Sequence, residues 1–114
     1  MTEVNTIIKE AVDALNEKKA MDIKVIDISK ISIMADCFII ASGNNANQLQ
    51  AMCDNVREKL SKINSSPKHV EGYDSANWIL LDYSDVIIHL FDKESRSFYD
   101  IERIWSDGKE ITSF

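Results

Sequence analysis

Turn-forming residues are scarce in this sequence, since its 114 residues include one proline, Pro67, and three glycines. Disordered and low-complexity proteins are usually rich in these residues, so the composition argues against both classes. Hydrophobic residues make up 45% of the chain, and a domain of this length buries about two-thirds of its unfolded surface in one core. We therefore expect one domain over residues 1–114, with a frayed tail over residues 107–114.

Long hydrophobic runs are also missing. No stretch approaches the roughly 18 consecutive apolar residues of a membrane-spanning helix, so we expect no membrane association. The N-terminal segment TEVNTIIKEAVDALNEKKA mixes both charges through its apolar positions, unlike a secretory signal or an arginine-rich transit peptide. These observations predict a cytoplasmic location.

Cysteine is limited to two residues, Cys37 within an apolar run and Cys53 on a helical pattern. Two cysteines in such settings fit packed, reduced thiols better than a disulfide framework or a zinc knuckle.

Basic residues are scarce in the second part of the chain. Residues 71–114 hold ten acidic and four basic residues, whereas residues 1–70 hold nine of each. Nucleic-acid binders neutralise phosphates with lysine and arginine patches, so we expect no strong direct nucleic-acid binding. An acidic half suits a basic protein partner, and a purely solubilising role is an equal alternative.

The spacing of apolar residues predicts an α/β fold. Helical spacing covers residues 2–19, with Thr2 as N-cap, and residues 46–64; strand patterns cover 23–29, 34–42 and 69–72. Apolar residues spaced as Phe98, Ile101, Ile104 and Trp105 predict a short helix over residues 97–105. A closing antiparallel hairpin makes the sheet mixed, with helices packed on at least one face.

That hairpin is WILLDYSDVIIHLFD, residues 78–92. Alternation puts Trp78, Leu80 and Asp82 on one face of its first strand, and Asp85, Ile87, His89 and Phe91 on one face of its second. A two-residue turn at residues 83–84 would pair Asp82 with Asp85, Leu80 with Ile87 and Trp78 with His89.

The hairpin holds candidate acid-base or metal-binding groups in Asp82, Asp85 and His89. His89 lies four residues beyond Asp85, about 13 Å along a strand, which is too far for one metal ion. The chain has no Gly-x-Ser-x-Gly motif for a nucleophilic serine. We therefore predict no catalytic residue, no metal site and no cofactor.

One enzymatic alternative stays open, a nucleotide-binding or nucleotidyl-transferring enzyme. The segment IIASGNNANQ offers a strand, a Ser42-Gly43 turn and the start of a helix, where an anion could bind. No Asp-x-Asp pair for Mg²⁺ follows Gly43, and no lysine or arginine lies between Gly43 and Arg57 to hold phosphate.

Several motifs, in order, resemble one family. They are DCFIIASG, the Glu71-Gly72 pair, WILLDYSDVIIHLF, the R-x-F-Y of residues 96–99 and the I-E-x-I-W ending at Trp105. Together they make the chain similar to the ribosomal silencing factor (RsfS, Iojap-like) family over about residues 3–106.

The resemblance implies a nucleotidyltransferase-like fold without the catalytic residues, and a homodimer. It also implies binding to a large-subunit ribosomal protein, number fourteen. A protein seated there would block joining of the small and large subunits and repress translation under nutrient limitation.

The resemblance also carries the candidate partner-binding residues. Buried aromatic anchors ringed by polar groups dominate interfaces, so Trp78 and Tyr83 are the expected anchors, and His89 is expected to brace the indole or Tyr99. The full expected set is Glu71, Trp78, Asp82, Tyr83, Asp85, His89, Arg96 and Tyr99. Ser84 stands where the family commonly has glycine, a change that costs about 1 kcal/mol if the turn needs a positive φ.

Overall fold

The computed structural model describes residues 4–112, which form one mixed six-stranded sheet with four helices. The sheet order is β3-β4-β5-β2-β1-β6. In chain order the elements are α1 (Val4–Glu17), β1 (Met21–Asp27), β2 (Cys37–Gly43), α2 (Ala46–Ser61), β3 (His69–Glu71), β4 (Trp78–Asp82), β5 (Val86–Asp92), α3 (Lys93–Tyr99), α4 (Ile101–Ile104) and β6 (Lys109–Glu110). The predicted α/β fold with a mixed sheet is confirmed.

The central pair of strands, β2 and β5, is the parallel one, while the other neighbours in the sheet are antiparallel. All seven residues of β2 are buried, as its unbroken apolar sequence predicts for a strand covered on both faces. The carboxyl ends of β2 and β5 therefore lie at one edge of the sheet, and their amino ends lie at the other.

Each face of the sheet has its own apolar core. On one face, α1 and α2 pack over side chains that include Ile39, Leu81 and Ile88. On the other face, the short helices α3 and α4 cover only the middle of the sheet, around Phe38 and Phe91. The strands β3 and β4 therefore keep an open outer face. Within residues 4–112, no helix is long and apolar enough to cross a membrane.

Helix α2 begins with a reciprocal cap. The Asn45 side chain accepts a hydrogen bond from the Gln48 backbone N–H at 2.8 Å, and the Gln48 side chain accepts one from the Asn44 N–H at 2.6 Å. These contacts satisfy backbone donors that the first turn of a helix otherwise leaves unpaired. The N-cap predicted for α1 at Thr2 lies outside the described residues.

Two predictions for the C-terminal part are wrong. The helix expected over residues 97–105 is two helices, because Asp100 ends α3 in a left-handed conformation with φ of 48°. This turn leaves Phe98 and Ile104 80% and 70% exposed. The tail is not frayed throughout, since β6 pairs with β1 and the Ile111 N–H donates to Val25 O.

The hairpin register also differs from the prediction. Asp82 pairs with Ile87, Leu80 with His89 and Trp78 with Phe91, because the turn lies at residues 84–85. The whole register is displaced by two residues. Since side chains alternate with a period of two, this displacement leaves every side chain on its predicted face.

The turn itself is strained. Ser84 has φ of +71°, and the Asp85 N–H donates to Tyr83 O at 2.9 Å, which is the hydrogen bond of a three-residue γ-turn. The Asp82 carboxylate supports the turn by accepting the Ser84 N–H at 2.8 Å. The turn therefore does need a positive φ at this position, which is the condition for the cost of serine given above.

Candidate functional site

An exposed aromatic surface lies where α3 meets the open face of β4. We call Trp78, Phe98 and Tyr99 the aromatic face. Tyr99 is the central member, because its ring centroid lies 4.7 Å from that of Trp78 and 5.1 Å from that of Phe98. Phe98 is 80% exposed and Tyr99 is 45% exposed, so this cluster leaves a large apolar area uncovered.

The buried rings of Phe91 and His89 pack beneath Trp78 and fix its position. The Trp78 ring lies 4.9 Å from that of Phe91, which is fully buried, and the Trp78 indole N–H donates to His89 Nδ1 at 3.1 Å. The expectation that His89 braces the indole is confirmed. A side chain fixed in this way loses little conformational entropy when a partner binds.

His89 is buried and neutral in this arrangement. Because its Nδ1 accepts the indole hydrogen bond, its proton lies on Nε2, which is buried without a partner. Burial lowers the pKa of His89 from its ordinary 6.5 to about 4. The imidazole therefore acts as a fixed acceptor at neutral pH and does not titrate there.

A shallow groove of about 260 Å³ adjoins the aromatic face, lined by Glu71, Gly72, Trp78 and Leu80. Gly72 has φ of +78°, and an added Cβ would lie 2.1 Å from the Trp78 carbonyl oxygen. Only glycine allows β3 to approach β4 this closely. The exposed Glu71 carboxylate sets the charge of the groove.

The two aspartates of the expected site lie elsewhere, at the hairpin tip. Asp82 ends β4 and is half-buried, while Asp85 is exposed in the turn. Asp82 is four residues from Trp78, about 13 Å along the strand. The structure thus brings Glu71, Trp78, His89 and Tyr99 together and places the acidic tip at the far end of the same strand.

The prediction that Tyr83 anchors a partner is wrong. It is only 6% exposed and packs in the core beneath α1 and α2, on the opposite face from Trp78. Its hydroxyl is buried with no hydrogen-bond partner, and burial raises its pKa to about 12. A tyrosine next to a polar turn resembles a surface residue in sequence, but the turn begins one residue later than predicted.

Arg96 contacts groups within the chain. Its Nε donates to Glu102 Oε1 at 2.7 Å and its Nη1 donates to Ser42 Oγ at 2.8 Å, so it ties α3 to α4 and to the end of β2. The hydrogen bond from Arg96 lowers the pKa of the Glu102 carboxyl, against the opposing effect of burial. Arg96 therefore fixes the helix that carries Phe98 and Tyr99.

The Ser42-Gly43 turn is filled by neighbouring groups. Ser42 is 1% exposed and its hydroxyl accepts from Arg96. A Cβ on Gly43 would lie 3.1 Å from Leu49 and 3.2 Å from the Met52 sulfur. The cleft beside this turn, about 590 Å³, has balanced charge, with three basic and three acidic residues: Lys24, Lys93, Arg96, Asp22, Glu102 and Glu110. This geometry leaves the nucleotide-binding alternative without a preformed phosphate cradle.

The described residues form neither a metal-binding cluster nor a reactive thiol. Within residues 4–112, no group of three or more His, Cys, Asp or Glu side chains could hold a metal ion. Cys37 and Cys53 are free and buried, and burial raises their thiol pKa values to about 12 and about 11. Both thiols are therefore protonated and unreactive at neutral pH. The expectation of packed, reduced thiols is confirmed.

Comparison with known proteins identifies the family. The family model described as "Ribosomal silencing factor during starvation" matches residues 1–113. The chain belongs to the ribosomal silencing factor family. It is 38% identical over 103 residues to the ribosomal silencing factor RsfS of Bacillus subtilis, covering 90% of this chain and 87% of that protein.

A solved structure and a more distant relative agree with this family. A crystal structure of a Chromobacterium violaceum protein has a TM-score of 0.90 and 34% identity, covering 99% of this chain and 92% of that one. The mouse protein named "Mitochondrial assembly of ribosomal large subunit protein 1" is 33% identical over 98 residues, covering 83% of this chain and 43% of that protein. The named relatives are ribosomal silencing or assembly proteins.

Sequence reasoning missed two residues of the groove and the aromatic face in this ribosomal silencing factor family member. Leu80 lines the groove and Phe98 is the most exposed member of the aromatic face. Leu80 shares the alternation of Trp78, which is a signal that could have found it. Phe98 had no such signal, because its spacing from Ile101 fits a buried helical face equally well.

Proposed function

We propose that this chain binds the large ribosomal subunit through ribosomal protein fourteen and blocks joining of the small and large subunits. By doing so it would repress translation under nutrient limitation, acting in the cytoplasm without catalysis. Membership of the ribosomal silencing factor family supports this proposal. The specific partner comes from the resemblance described above.

The observation that carries the proposal is the aromatic face. Exposed aromatic side chains held by buried rings are typical of the anchors that dominate protein interfaces. Negative charge lies on both sides of β4, from Glu71 beside the groove and from Asp82 and Asp85 at the hairpin tip. Such a surface is complementary to a basic ribosomal protein and repels RNA phosphates.

Phe98→Ala is the sharpest test of the aromatic face. Phe98 is 80% exposed, and among residues 4–112 its ring contacts that of Tyr99 alone, so its removal leaves both cores intact. We expect about tenfold weaker co-sedimentation with purified large subunits. Trp78→Ala should weaken binding too, but it also leaves His89 Nδ1 without its donor.

Asp85→Lys tests the charge of the hairpin tip, and Asp13→Lys on the exposed face of α1 is its matched control. Only the first substitution should weaken subunit binding, because α1 lies on the opposite side of the sheet from the aromatic face. Undiminished binding by both Phe98→Ala and Asp85→Lys would reject this surface.

The function is tested separately from the surface, by light scattering during reassociation of purified subunits. The parent protein should reduce formation of the joined ribosome in proportion to its occupancy of the large subunit. Normal reassociation at saturating protein would reject the proposed function.

The resemblance supports one further part of the proposal, a homodimer. Sedimentation velocity should then give twice the chain mass of 13.0 kDa. A species at the mass of a single chain across micromolar concentrations would contradict it.

A further inference from the structure

The loop between β1 and β2 exposes a second apolar cluster. Ile33 is fully exposed, Met34 is 73% exposed and Ile31 is 44% exposed. A single exposed apolar residue is common on any protein, but three large ones within four residues mark an interaction site. None of these side chains belongs to the aromatic face.

The backbone of this loop is ordered by its own hydrogen bonds. The Ile28 N–H donates to Asp36 O at 2.9 Å and closes the loop, while the Ile31 and Ser32 N–H groups donate to Ile28 O. Ile28 is fully buried below the loop. The exposed side chains are thus held on a fixed frame, which lowers the entropy cost of binding a partner.

The loop lies beside the hairpin tip. The N–H groups of Asp36 and Cys37 both donate to Asp85 O, at 2.8 and 3.1 Å. This edge of the sheet is acidic, since five carboxylates lie on it against three lysines: Asp27, Asp36, Asp82, Asp85 and Asp107, with Lys30, Lys68 and Lys109. An apolar cluster therefore stands within a negatively charged rim.

We propose that Ile31, Ile33 and Met34 insert into an apolar recess of a basic protein surface, as a second contact beyond the aromatic face. This inference rests on the proposed function, because the basic partner is the ribosomal protein. The hairpin connects the two contacts, with Trp78 and Asp82 about 13 Å apart along β4. Both contacts fit within one interface of ordinary size, about 800 Å² on each partner.

The negative charge around the apolar loop disfavours two other binding partners, RNA and a second copy of this chain. Ribosomal RNA would bring phosphates against the five carboxylates. A second copy of this chain, meeting the same edge through two-fold symmetry, would bring Asp85 and its neighbours against their own equivalents. A basic protein surface alone complements both the apolar cluster and its rim.

The double variant Ile33→Ser/Met34→Ser tests this contact. Both side chains are exposed, so the fold and the melting temperature should not change. We expect about tenfold weaker binding to purified large subunits, measured by co-sedimentation. The matched control is Lys9→Ser/Asp13→Ser on the exposed face of α1, which also changes two exposed residues at constant net charge and should bind as the parent does.

Phe98→Ala is measured in parallel to separate the two proposals. Parent-like binding by the double variant, with weakened binding by Phe98→Ala, would overturn the loop contact and leave the proposed function standing. Failure of the parent itself to bind large subunits would remove the proposed function, and with it the loop contact.

Two further measurements decide the identity of the occupant. If the double variant sediments as a lighter species than the parent, the loop binds a second copy and the proposal is wrong. If the parent binds protein-free ribosomal RNA and the double variant does not, the occupant is RNA and the proposal is equally wrong.

Discussion

At the scale of single residues, the hydroxyl of Tyr83 is buried without a partner. Such a group loses its hydrogen bonds to water on folding and gains none in return, which costs about 1–3 kcal/mol. Its ring, in contrast, fills the core beneath α1 and α2. The two parts of this side chain therefore contribute to stability with opposite signs.

Tyr83→Phe should accordingly raise the free energy of unfolding by about 1 kcal/mol in urea denaturation. Tyr83→Ala should lower it by about 3–5 kcal/mol, because it removes the ring and leaves a cavity. Tyr73→Phe is the matched control, since the Tyr73 hydroxyl donates to Asp54 Oδ2 at 3.1 Å and is exposed. A destabilised Tyr83→Phe variant would show that the hydroxyl has a partner.

His89 makes stability depend on pH. Its folded pKa of about 4 is below its ordinary 6.5, so between these values the unfolded chain binds a proton that the folded chain does not. Protonation then favours unfolding, and stability falls as pH decreases from about 6.5 towards 4. The contribution of His89 is constant above pH 6.5.

The variant His89→Asn isolates this effect, because an amide oxygen can still accept the indole hydrogen bond but does not titrate. Between pH 6.5 and pH 4.5, the parent should lose roughly 2 kcal/mol more unfolding free energy than the variant does. Urea denaturation at half-unit pH steps measures the difference. If the unfolding free energies of the parent and the variant depend on pH in the same way, His89 has the same pKa in the folded and unfolded states.

At the scale of elements, the β4-β5 hairpin carries strain in its turn. Ser84 adopts φ of +71°, a conformation that costs a residue with a Cβ about 1 kcal/mol relative to glycine. We expect Ser84→Gly to raise the unfolding free energy by up to about 1 kcal/mol, measured by thermal and urea denaturation.

Ser66→Gly provides the control for that substitution. Ser66 is exposed and lies outside the positive-φ residues, so glycine there only increases the entropy of the unfolded chain and should be slightly destabilising. A loss of stability in Ser84→Gly equal to that in Ser66→Gly would show that the hairpin turn is unstrained.

The same hairpin shows what sequence can and cannot predict about an element. Alternation assigned Trp78 and His89 to one face correctly, because the pleat of a strand has a period of two. The register was wrong, because it depends on where the turn begins, and a local sequence such as DYSD allows more than one turn. The Trp78-His89 contact consequently forms on a diagonal between strands.

The C-terminal helices show a second limit. The spacing of Phe98, Ile101 and Ile104 fits one buried helical face, but Asp100 breaks the helix and turns two of these side chains outwards. Only the packing of both short helices against the sheet decides that break. A sequence therefore indicates which residues are apolar more readily than which apolar residues are exposed.

At the scale of the whole molecule, the net charge of −6 belongs to residues 71–114. These residues form β3, β4, β5, α3, α4 and β6, and so they supply both the aromatic face and the hairpin tip. This charge separation could be predicted from the sequence, whereas the position of the apolar loop beside the tip could not, because it depends on the parallel pairing of β2 with β5.

Association with large subunits should therefore depend on ionic strength. Raising salt from about 50 to 300 mM shortens the Debye length from about 14 to about 6 Å, and we expect the association rate to fall roughly tenfold. Stopped-flow measurement with Asp85→Lys should show both a slower rate and a weaker salt dependence. An association rate independent of salt would contradict electrostatic steering.

The parallel pairing of β2 with β5 also determines when the sheet can be completed during synthesis of the chain. Cys37 pairs with Val86 and Gly43 with Asp92, so 49 residues separate each partner from the other along the chain. During synthesis β2 has no neighbour on that side until β5 has left the ribosome. The sheet that carries both proposed contacts is thus completed only after most of the chain has been made, and a nascent chain shorter than about 92 residues can present neither contact in its native form.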